Sequence, residues 1–124
     1  MVGYSVSVVE SSKELTAKEK VMLKDVSNAI KLDEATQNGK VIIKPVAYVV
    51  LSIHNEKSDN KDYENYLIID ENNDKYVTGS ASFWNSFCDI WSDMAGEDED
   101  WMLECYRLPS KNYKGKDFLT CSIA

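Results

Sequence analysis

Glycine and proline are scarce in this chain, five and two in 124 residues. Neither a Gly-x-x-x-x-Gly-Lys-Ser/Thr loop nor a Gly-x-Gly-x-x-Gly loop occurs. The backbone cradles that hold nucleoside phosphates are therefore excluded. There is one histidine, His54, at the end of an expected strand, where it reads as a surface residue rather than a general base. Cysteine appears three times, as Cys88, Cys105 and Cys121, with no Cys-x-x-Cys pair. Odd in number and set among apolar neighbours, these read as reduced core residues of a cytoplasmic protein, not as a disulfide framework or a metal site. No apolar run approaches the roughly 18 residues that span a bilayer. Residues 1–15 lack the basic start and apolar middle of a signal peptide. These absences lead to the expectation of a cytoplasmic protein with no membrane span, metal, cofactor or catalysis.

What remains is an ordinary globular composition, 44% hydrophobic and 28% charged, of a length expected to form a single domain over residues 1–124. The net charge is −7. An acidic body argues against indiscriminate binding of duplex DNA and leaves room for a local basic groove. The acids concentrate at residues 59–74 and in Gly-Glu-Asp-Glu-Asp at 96–100. The basic residues gather elsewhere. Arg107, Lys111, Lys114 and Lys116 fall within twelve residues that hold one acid, Asp117, with Tyr113 and Phe118 interleaved. Cations neutralise phosphates and aromatic faces stack on unpaired bases, so this pattern suits single-stranded nucleic acid. The same residues also make an ordinary solvated hairpin tip, since Ser-Lys-Asn and Lys-Gly are common turn chemistry.

Tyr4–Val9 alternates weakly and is rich in valine and serine, as in a strand. Thr16 to about Lys31 is ambiguous: Thr16-Ala-Lys-Glu19 resembles a capping box, and Val21, Met22, Val26, Ala29 and Ile30 roughly fit one helical face. Asn38-Gly39 marks a turn. Lys40–His54 predicts one long strand with Ile43, Ala47, Val49, Leu51 and Ile53 on its apolar face, bent or bulged near Pro45. Further strands are expected at 63–70 and 75–78. Ser80 opens a helix in which Phe83, Phe87, Ile90, Trp91 and Met94 form one apolar stripe, stopped by Gly96. Strands at 101–108 and 117–123 flank the basic segment. The fold expected is mainly β with one or two helices: four to six strands in a small OB-type barrel, with a helix inserted before the C-terminal hairpin.

Six tyrosines, Tyr48, Tyr63, Tyr66, Tyr76, Tyr106 and Tyr113, lie on or beside these strands. A tyrosine on the wet face of a sheet is a stacking platform, and it is equally a rim residue with its hydroxyl in water. The candidate DNA-binding set comprises Lys44, Tyr48, Tyr66, Tyr76, Arg107, Lys111, Tyr113, Lys114, Lys116 and Phe118.

Five segments occur in an order that resembles a known family: Ser27-Asn28-Ala29-Ile30, Val41–Tyr48, Tyr66–Asp70, Tyr76–Ser80 and Ser110–Ser122. The order is similar to that of small single-stranded-DNA-binding proteins of phages and mobile elements of Gram-positive bacteria. The resemblance implies an OB-type fold, no catalysis, and coating of single-stranded DNA in a bacterial cytoplasm during replication or recombination. It also implies replication or recombination proteins as further partners and is compatible with self-association. It fixes no contact residue. A different class of function fits the acidic segments: a protein-interaction module, such as an inhibitor presenting residues 56–74 and 96–100 as a DNA mimic to a basic host enzyme.

Overall fold

The structure, a computed structural model, describes residues 3–25, 27–57, 59, 61–96, 100–109 and 117–124. These form β1 (Tyr4–Ser11), α1 (Ala17–Lys24), β2 (Ile30–Lys31), α2 (Leu32–Ala35), a 3-10 turn (Thr36–Asn38), β3 (Val41–Ile43) and β4 (Pro45–Asn55). There follow β5 (Asp62–Asp70), β6 (Lys75–Thr78), α3 (Ala81–Met94), β7 (Leu103–Pro109) and β8 (Asp117–Ile123). The protein is mainly β. Its strands make a five-stranded sheet in the order β1-β4-β5-β6-β2 and a three-stranded sheet in the order β3-β7-β8.

Several expectations need correction. Eight strands and three α-helices are described, against the four to six strands and one or two helices expected. The N-terminal helix is shorter than its pattern suggested. Thr16 does form a capping box, its hydroxyl accepting from Glu19 N while the Glu19 carboxylate accepts from Thr16 N. Asp25 then stops the helix by accepting hydrogen bonds from both the amide and the hydroxyl of Ser27. This local turn competes with helical continuation. The long strand expected at 40–54 is two strands in different sheets, parting at Lys44 beside Pro45.

The chain divides into two compact units, each built from two separate segments. The first combines residues 1–30 with 46–79, the second 31–45 with 80–124. In the first, Ala47, Val49, Leu51, Leu67, Ile69 and Val77 form a buried cluster with Leu23 of α1, and Val6, Val8, Leu15 and Ala29 pack against it. The alternation along β4 is the one expected, except that Val50 is buried too.

In the second unit Ser80 caps α3 by accepting from Phe83 N, and Gly96, at φ +88°, supplies the left-handed residue beyond the helix. The expected stripe is buried at Phe83 and Phe87 and half-buried at Ile90, Trp91 and Met94, and Trp84 is buried beside it. Phe87 lies between Trp84 and Trp91, with ring centroids 4.9 and 5.8 Å away. The sheet face carrying Leu103, Cys105, Leu119 and Cys121 is buried, and the Cys121 thiol lies 3.9 Å from the Phe83 carbonyl of α3. Burial pushes the Cys121 thiol up to about 12 and raises Cys105 as well, so both stay protonated.

Candidate nucleic-acid interface

Strand alternation in the three-stranded sheet sends Leu103 and Cys105 to the buried face and Glu104, Tyr106 and Leu108 to the opposite one. The β7–β8 register sets Leu108 opposite Phe118, Tyr106 opposite Thr120 and Glu104 opposite Ser122. On the other side of β7, Ile42 of β3 is opposite Glu104. The outer face therefore presents Ile42, Leu108 and Phe118, which are 46%, 41% and 41% exposed, around a half-buried Tyr106. Tyr106 and Phe118 are diagonal neighbours across the ladder, a relation that places Cβ atoms about 7–8 Å apart and within mutual reach of aromatic rings.

Lys40 adds a cation to this face. Lys40, just ahead of β3, has its Nζ 2.8 Å from Glu104 Oε1 and 5.8 Å from the centre of the Tyr106 ring. The hydrogen bond to Glu104, and then its charge, raise the Lys40 pKa and hold the ammonium charged over the ring. The platform is thus apolar and aromatic in the middle with an ion pair along one side. Phe118 leads directly back, in sequence, to Lys116, Lys114 and Lys111.

The expected site residues are distributed as follows. Phe118 stands on the exposed face of the three-stranded sheet. Lys111, Tyr113, Lys114 and Lys116 lie outside the described residues. Arg107 needs correcting. It lies on the opposite side of β7 from Tyr106, with its guanidinium engaged by its own chain: Nε donates to Thr36 Oγ1 at 3.1 Å, NH2 to the Asp33 carbonyl, and NH1 to Asp117 Oδ1 at 2.8 Å. That geometry clamps β7 and β8 to the turn after α2, with a side chain only 19% exposed. Lys44 pairs with Asp100 at 3.4 Å.

Tyr48, Tyr66 and Tyr76 belong to the five-stranded sheet, not to the platform. Tyr66 is buried, 9% exposed, so its ring is no open stacking surface. The reason is that β5 is buried along the whole of Tyr66–Asp70, on both faces. Tyr76 is half-buried opposite Ile68, and Tyr48 is half-buried with its hydroxyl donating to Glu10 at 3.2 Å.

Lys40, Ile42 and Leu108 were missed, and Tyr106 was not singled out from the other strand tyrosines. The signal was the alternation of Glu104, Tyr106 and Leu108 against Leu103 and Cys105. Among the described residues there is no cluster of three or more acidic, histidine or cysteine side chains suited to a metal ion, and no helix long and apolar enough to cross a membrane. No protein-family model, no curated protein and no solved structure matches this chain.

Proposed function

We propose that this protein binds single-stranded DNA without regard to base sequence, as a non-catalytic coat during replication or recombination of a phage or mobile element in a bacterial cytoplasm. The carrying observation is the outer face of the three-stranded sheet. Phe118 and Tyr106 sit diagonally on an exposed apolar surface, next in sequence to the most basic stretch of an acidic chain. Bases stack on the rings whatever their identity, while lysines of the 111–116 segment meet the phosphates.

The reading includes an OB-type arrangement. Its support is the path of the chain: a strand segment that serves β7 with its first part, β3, and β5 with its second, β4; the run β4-β5-β6; a helix; and a terminal hairpin.

The test is fluorescence quenching by oligo-dT at low salt, with single-stranded RNA and duplex DNA as comparisons. The parent should be quenched by oligo-dT and hardly by duplex. Phe118→Ala should weaken binding by about 1–3 kcal/mol, the worth of one stacked base, with little change in thermal stability because the ring is exposed. Equal affinity in the Phe118→Ala protein would remove the platform. The commitment of Arg107 and Lys44 to acids of the same chain favours a second reading, an acidic module for a basic protein partner. A parent that ignores oligo-dT and binds such a partner decides for that reading.

A further inference from the structure

We propose that the outward face of α1, together with the pocket beside it, docks an acidic segment of a partner protein that carries an apolar side chain. This contact lies in the first unit and is independent of nucleic-acid binding. Helix α1 buries one residue, Leu23, which joins the cluster of that unit. Val21 and Met22 face away, 68% and 58% exposed, the two most exposed large apolar side chains among the described residues. A helix of eight residues has little stability of its own and is held by its contacts. Two neighbouring apolar side chains turned outward on such a helix, with charge around them, form the surface that a protein partner covers.

The charge around them is of one sign. Helical spacing sets Lys18 three residues before Val21 and Lys24 three after it, so the two lysines bracket Val21 on one face, and Met22 lies one turn beyond Lys18. Lys18, Lys20 and Lys24 are exposed and make no ion pair among the described residues, whereas Lys13, Lys40, Lys44 and Lys61 each meet an acid of the chain. The acids nearest the helix ends are already engaged, Glu19 with Thr16 and Lys13, and Asp25 with Ser27. Residues 13–24 hold four lysines and two glutamates, a net +2 in a chain of −7. An acidic occupant complements that charge.

Between α1 and the turn joining β5 to β6 lies a pocket of about 140 Å3. Met22, Leu23 and Ile69 supply its apolar lining, and Lys13, Asn73 and Lys75 stand around them. Its walls are fixed in advance. Lys75 Nζ donates to the carbonyls of Met22 and Asp25 at 3.3 and 3.0 Å, tying β6 to the end of α1, while the capping box holds the start of the helix. A cavity of about 150 Å3 takes up benzene, and small-molecule sites begin near roughly 300 Å3, so this pocket suits a single side chain. Val21 and Met22 are aliphatic and offer no flat ring for a base to stack on, whereas methionine moulds itself to irregular apolar shapes. The occupant they fit is a peptide.

Selection of random peptides displayed on phage against the immobilised full chain tests this. The enriched peptides should be rich in aspartate and glutamate around an aliphatic or aromatic residue. By fluorescence anisotropy with the labelled synthetic peptide, Lys18→Gln/Lys24→Gln and Met22→Ala should each weaken binding by roughly tenfold, while Lys18→Arg/Lys24→Arg should bind as the parent does. Replacing the apolar residue of the peptide by serine should weaken it to a similar degree. The substituted side chains are exposed, so circular-dichroism melting should show every variant folded like the parent. No enrichment, enrichment of basic or neutral peptides, or acidic peptides that bind the variants unchanged would overturn the proposal. So would a parent that sediments as a dimer which Lys18→Gln/Lys24→Gln dissolves, because a second copy is then the occupant. Oligo-dT bound by the parent and lost by that same variant assigns the face to nucleic acid and overturns it too. A parent that ignores oligo-dT yet selects acidic peptides at this face sinks the DNA reading and sustains this one.

Discussion

Both ring nitrogens of His54 face a carboxylate: Nδ1 is 2.7 Å from Asp62 Oδ1 and Nε2 is 2.6 Å from Glu56 Oε1. A neutral imidazole has a single N–H, so only the imidazolium donates to both. The hydrogen bond to Asp62, followed by that to Glu56, raises the His54 pKa. Lys61, 3.4 Å from Glu56 on its other oxygen, shares that carboxylate. Since the folded pKa is raised, the stabilisation is fully present below the unfolded value of about 6.5 and disappears as pH rises through the folded value. Melting temperature followed from pH 6 upward, as an order of titration about that value, should therefore fall in the parent and lose this component in His54→Gln. A parent and variant with parallel profiles would show that the two contacts contribute nothing in solution. Of these facts the sequence revealed His54 at a strand end; the two carboxylates were hidden because a β-hairpin, not local spacing, brings Asp62 back to it. Arg107 was less legible still. Its basic neighbours suggested phosphate, but two of its partners, Asp33 and Thr36, lie 74 and 71 residues away.

Helix α3 was readable in full because three independent signals coincide: a serine cap, apolar positions on one face, and a glycine where the chain must turn left-handed. Phe87 is its central buried residue, fully enclosed and in ring contact with Trp84 and Trp91. Phe87→Ala should cost about 3–5 kcal/mol in chemical denaturation. A loss well under that would mean the aromatic row collapses into the space. The hairpin β7–β8 was also legible, since its alternation is regular. The segment 40–55 was only half so. Its pattern of apolar residues continues through Lys44 without a break in parity, so nothing but Pro45 hinted that the pairing partner changes there. At β5 the run Tyr66-Leu67-Ile68-Ile69 carried a signal that single-face reasoning passed over: consecutive apolar residues mean burial on both sides of the strand.

For the molecule as a whole, charge is the test of the functional reading. With a net −7, its affinity for a polyanion depends on a local cationic stretch, and counterion release makes that dependence measurable. The logarithm of affinity for oligo-dT should fall with log salt by about 0.7 for each phosphate contact. Lys114→Ala/Lys116→Ala should shallow that slope by about 1.4, two contacts' worth, while leaving the melting temperature in place. An unchanged slope would detach the 110–116 segment from DNA binding altogether.

The interleaving of the two units has a consequence for the order of events at the ribosome. Every residue of the first unit has been made once residue 79 is added, so β1, β4, β5 and β6 have all their partners early. Val41–Ile43 is already synthesised by then, yet its ladder partner β7 begins at Leu103. That short apolar strand must wait through two dozen further residues, α3 among them, with its hydrogen bonds unmade. A nascent chain whose first 79 residues have cleared the ribosome thus holds every strand of the first unit together with an unfinished loop, and that loop is where a chaperone or a neighbouring nascent chain finds an unpaired strand.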